Sequence, residues 1–198
     1  DNQASNIEGL KQRIDILFNF ASQVSYQINH PLLVIQASKS IIGMNLDSPP
    51  HNLLKWLEQY IQQFQTDFQF LEFTDLKQKP EVLSTHHLQY LIENNKYEKS
   101  QNYLANLILT ADHRYIVELL LEISFQYSCI STLFCWSAFK SIPFMSFKDS
   151  QSILFLSLDS IFKNKKEDNI KNLANFYLFC HSHQINETKM IRSSKIIP

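Results

Sequence analysis

Glycine is almost absent from this chain: Gly9 and Gly43 are the only two in 198 residues, and none follows Met44. Loops that lay backbone N–H groups onto phosphates need glycine, for positive φ and for the missing side chain. A nucleotide cradle is therefore not expected in residues 44 to 198. Cysteine is scarce as well. Cys129, Cys135 and Cys180 form no C-x-x-C pair and are odd in number, so neither a disulfide framework nor a zinc ribbon is expected, only reduced thiols. The net charge is −1, which gives no electrostatic footprint for nucleic acid or an acidic membrane. Long apolar runs are also missing. The least polar window, Leu119 to Phe139, carries Glu122, Gln126 and several serines, so it reads as a buried helix running into a strand rather than a membrane span. The polar opening lacks the apolar core of a secretory leader. Together these features predict a soluble, cytoplasmic protein without membrane or nucleic-acid partners.

What is abundant is helical spacing. Ile7, Leu10, Ile14, Leu17, Ala21, Val24 and Ile28 step by three and four, the spacing of a coiled-coil seam. The register continues through Pro31, Ile35, Ser38 and Ile42, and "GMNLDSPPHN" then marks a turn. A second series follows in Leu54, Leu57, Ile61, Phe64, Phe68 and Leu71. Residues 7 to 75 thus read as an antiparallel hairpin, and two copies would complete a four-helix bundle, so a homodimer is expected. Tyr26 and His30 each fall two residues past a seam position and project from one side of that bundle. Pro31 lacks an N–H and disfavours helical geometry in the preceding residue, which predicts a kink beside His30.

The stretch "SYQINHPLLVI" resembles the phosphoacceptor box of sensor histidine kinases, H-E-x-x-x-P-L, on the first helix of a dimeric hairpin. The resemblance aligns Pro31 and Leu32 with the family's Pro and Leu. It puts Tyr26 at the phosphoacceptor position and Gln27 at the acid/base position. A phenol is not a phosphoramidate-forming imidazole, and a neutral amide takes no proton as a carboxylate does. In that family an ATP-binding α/β domain follows. "LILTADHRYIVELLLEISFQYS" is similar to its strand and first long helix, with Asp112 opening the helix and Glu122 and Gln126 at the two asparagine positions. "SILFLSLDSIFKN" resembles the strand and loop that read adenine, with Asp159 in the reading position and no glycines behind it. "NIKNLANFYLFCHSHQ" has the shape of the helix after the nucleotide lid.

The resemblance implies an α+β protein: a dimerisation hairpin over 1–78 and a degenerate ATPase-like α/β sandwich over 79–198. It further implies a non-catalytic signalling adaptor that binds no ATP. Its partner would be a response-regulator receiver domain or a histidine kinase, met by Ser22, Gln23, Tyr26, Gln27 and His30. Two alternatives stand beside it. His30 would accept phosphate from one receiver and pass it to another without ATP, or the chain is an unrelated helical interaction or scaffold protein.

Other chemistry is thinly supported. His86-His87 and the Cys180, His181, His183 group lack a fourth ligand at metal spacing, so no metal and no cofactor is expected. Glu118 and Glu122 lie one helical turn apart but have no Glu-x-x-His partner, so a surface role is expected for them. Neither a G-x-S-x-G elbow nor a P-loop occurs. The lysines of "KNKKED" read as a solvated loop, and most aromatics as core, with Phe70 and Phe73 off the seam.

Overall fold

A computed structural model describes residues 2–46, 48–68 and 84–165. They form eight α-helices and a short 3₁₀ turn, with no strand among the described residues. The helices are α1 (Asn2–Ser22), α2 (Pro31–Gly43), α3 (His51–Ile61), α4 (Thr85–Glu93), α5 (Tyr97–Thr110), α6 (His113–Ser124), α7 (Cys129–Ser141) and α8 (Phe147–Asn164). The 3₁₀ turn, Ile142–Phe144, links α7 to α8.

This overturns the α+β expectation. The segment expected to be a strand before Asp112 is the last part of α5, and the adenine-reading strand is α8. The lid-following segment and Cys180, His181 and His183 lie outside the described residues, as do Phe70, Leu71 and Phe73. The apolar run of α8 has a physical reason to mislead. Residues 151–161 are all buried, so no solvent face imposes a helical rhythm on the sequence. α8 is the centre of the fold, packed against α1, α5, α6 and α7. Its buried serines donate into their own helix, Ser157 to the Ile153 carbonyl (2.8 Å) and Ser160 to that of Ser157 (2.7 Å), which satisfies hydroxyls that would otherwise be costly to bury.

Caps stop and start the helices. Ser146 accepts from the Asp149 N–H (3.1 Å) as the N-cap of α8 and donates to the Asp149 carboxylate (2.7 Å). The same carboxylate accepts from Asn19 (2.9 Å) and Ser22 (2.8 Å), tying α8 to the end of α1. Asp112 does open a helix, accepting from the Arg114 N–H at 2.7 Å. Lys165 spends its ammonium on the Ile92 and Glu93 carbonyls (2.7 and 2.8 Å) and the Asn95 side chain (3.0 Å), closing the end of α4.

The seam also belongs to one chain. Leu10, Ile14, Leu17 and Ala21 are buried in a core that extends continuously to Phe134 and Ile161, and Val24 is buried as well. Ile7 and Ile28, at its two ends, are exposed. The chain's own later helices therefore cover the face that suggested a second copy. Residues of α1, α2 and α3 share this core with residues of α4 to α8.

Candidate functional site

Pro31 kinks nothing. α1 ends at Ser22, and Pro31 is the first residue of α2, where its missing N–H is unneeded and its fixed φ suits a helix start. His30 is the N-cap, with the extended backbone that proline imposes on its predecessor. Between the helices, residues 23–30 form a link. The Gln23 carbonyl accepts from the Phe68 N–H (2.9 Å), and the Ser25 N–H donates to Asp67 (3.0 Å).

The link turns its two functional candidates inward. His30 is fully buried. Its Nδ1 accepts from the Leu32 N–H at 3.2 Å, so Nε2 carries the proton and donates to the Val24 carbonyl at 3.0 Å. Burial pushes its pKa down to about 4, against a small upward pull from the Val24 carbonyl. Tyr26 is buried too. Its hydroxyl accepts from Asn164 (2.6 Å) and its carbonyl from Lys163 (3.1 Å). Both rings meet the buried Phe134 edge-on, each with centroids 5.1 Å away. The side-on projection expected for Tyr26 and His30 is thus corrected: the helix carrying the register ends before them.

The other expected positions scatter. Ser22 is buried on Asp149, while Gln23 and Gln27 are exposed. Glu122 and Gln126 are exposed around the end of α6, and Asp159 is buried in α8 against Tyr97, so these do not face one space. His86 and His87 are exposed on α4, and Glu118 pairs with Arg114 at 3.6 Å. No group of three metal-ligating side chains occurs among the described residues.

What the link does build is a groove of about 500 Å³. Gln27, Ile28, Asn29 and His30 form one wall with Leu33 and Val34 of α2. Tyr60, Gln63 and Phe64, at the end of α3, form the other. Along α3 and just past its end the rings run in file, Trp56 stacked on Tyr60 (5.1 Å) and Tyr60 edge-on to Phe64 (5.2 Å). Ile28 remains 55% exposed at the rim. Its only ionisable lining side chains among the described residues are His30, whose nitrogens are both engaged, and Tyr60, whose phenol is pushed up by burial. Sequence reasoning reached Gln27 and His30 but missed Ile28, Leu33, Val34, Tyr60 and Phe64. A helix start read at Pro31 would have freed Ile28 from the seam.

Comparison with protein-family models, curated proteins and solved structures found no match for this chain. No helix among the described residues is long and apolar enough to cross a membrane.

Proposed function

We propose that this chain is a non-catalytic helical interaction protein whose docking site is the groove between the start of α2 and the end of α3. The observation that carries this is the groove's chemistry. Its walls are apolar side chains and neutral carboxamides, and its one imidazole is held neutral with both nitrogens bonded. Such a lining offers binding area and hydrogen-bond partners but no free acid, base or nucleophile. The volume suits one or two large apolar side chains of a partner segment, with Gln27, Asn29 and Gln63 left to meet its backbone. Of the readings open from sequence, this scaffold-type one gains most from an all-helical fold. A receiver-binding adaptor would use Ser22, Tyr26 and His30, which are buried here.

A peptide library selected on the full-length protein tests the reading. Selected peptides are expected to lose binding to Ile28→Asp and Val34→Asp proteins and to retain it on a Leu133→Asp protein. Peptides indifferent to both groove substitutions would overturn it.

A further inference from the structure

The other end of α2 leads to a different surface. The 3₁₀ turn places the end of α7 and the start of α8 together. Arg114 lies over the Phe139 ring (5.5 Å) and His113 stacks on Phe147 (4.5 Å), which adds the start of α6. Lys39 donates to the Lys140 carbonyl (3.2 Å) and lies over Phe144 (3.6 Å), which adds α2. At this cap Trp136, Phe144 and Phe147 stay 46%, 49% and 66% exposed. Lys39, Lys140 and Lys148 stand among them, and no ion pair reaches any of the three among the described residues. Burial first, and the repulsion of Lys140 second, lower the Lys39 pKa to about 8. The neighbouring acids have partners of their own: Asp149 is buried on Asn19, Ser22 and Ser146, Glu118 pairs with Arg114, and the exposed Asp112 accepts from the Arg114 N–H.

From this surface we infer that the cap docks on an anionic lipid bilayer, with Phe144 and Phe147 entering the headgroup boundary while Lys39, Lys140 and Lys148 meet lipid anions. The inference goes beyond the groove reading and does not rest on it. Three features favour a bilayer over other anionic partners. The apolar and cationic groups are drawn from α2, α6, α7, the 3₁₀ turn and α8, a patch spread over several elements. A partner helix would instead call for a stripe along one element. Single-stranded nucleic acid would stack on open ring faces, but Lys39 lies over Phe144, Lys140 over Trp136 (4.8 Å) and His113 on Phe147. Exposed aromatics beside lysine ammoniums are the pairing suited to headgroup depth, half apolar and half charged. The net charge of −1 hides this because the cations converge from α2, α7 and α8.

Sedimentation of the full-length protein with phosphatidylcholine vesicles, with and without phosphatidylserine, tests the inference. A Trp56→Phe background leaves Trp136 as the sole indole. Binding to phosphatidylserine vesicles is expected, with a blue shift of Trp136 emission. Binding should be roughly tenfold or more weaker on phosphatidylcholine alone, since each lysine near an anionic surface adds about fivefold. Phe144→Ser/Phe147→Ser should abolish binding with an unchanged circular dichroism spectrum, because both rings are exposed. Lys140→Glu/Lys148→Glu should erase the lipid preference, and Ile28→Asp should change nothing. The inference is overturned if the intact protein stays in the supernatant, or if both double variants bind like the parent. It is equally overturned if oligothymidylate or polyglutamate binds while vesicles do not.

Discussion

The Tyr97 hydroxyl donates to the Asp159 carboxylate at 2.5 Å, joining α5 to the buried centre of α8. Asp159 is 9% exposed. Burial raises its pKa, partly offset by the Tyr97 bond and the nearby Lys163 charge. Burial and this carboxylate raise the Tyr97 phenol in turn. Asp159 is therefore harder to ionise than an exposed carboxylate, and the Tyr97 bond favours its ionised form.

Removing the donor should cost more than removing the charge. Tyr97→Phe is expected to destabilise by about 1–3 kcal/mol, the cost of a buried acceptor left unpaired. Asp159→Asn keeps an acceptor for Tyr97 and removes a buried anion, so it should be close to neutral. Urea unfolding of the two variants at neutral pH checks the order, and a costlier Asp159→Asn would refute it.

His30 should make the fold sensitive to mild acid. Its folded pKa is about 4 against an ordinary 6.5, so between these values the unfolded chain binds the extra proton and the fold does not. Stability is expected to fall as pH drops through 6.5 and to level off below 4, with a total of about 3 kcal/mol. Protonation would also remove the Nδ1 acceptor from the Leu32 N–H. In His30→Asn, which keeps a capping acceptor, the part of the pH dependence owed to this imidazole should vanish from the denaturation midpoints.

Pro31 at a helix start implies the opposite of Pro31 at a kink. Pro31→Ala should lose about 0.4–1 kcal/mol, because the unfolded chain gains freedom and no strain is relieved. A gain in stability or in helix content would instead indicate a proline held inside a helix. Thermal melts followed by circular dichroism distinguish the two.

The thiols should separate by burial. Cys135 is fully buried, and its pKa is pushed up to about 12 chiefly by that burial, with serine contacts pulling slightly down; Cys129 is exposed. In a Cys180→Ser background, a thiol reagent should modify one cysteine in the folded protein and the second only on unfolding. Two fast equivalents would refute this packing.

Much of the helical content was legible in the sequence, and its assembly was not. The heptad steps from Leu10 to Ala21 located α1 and its buried face, and Asp112 located the start of α6. The register misled past Ser22, because Val24 stays buried in the link after helical geometry has ended. It thereby placed Ile28 in a core and Tyr26 outside one, the reverse of what the link does. α8 misled for the converse reason: a helix wrapped on every side looks like a short buried strand. The groove had no sequence signal, since its walls come from residues 27–34 and 60–64, brought together only by tertiary packing.

Because α8 is the last of the described helices, α1, α5, α6 and α7 are all made before the buried segment they pack against. During synthesis they leave the ribosome before the segment that supplies their shared interior, with apolar faces such as Leu120 and Phe134 still uncovered. The nascent chain is thus exposed to chaperones and to aggregation until Ile161 has emerged. A shortened product lacking α8 would lose the buried face that α1, α5, α6 and α7 share.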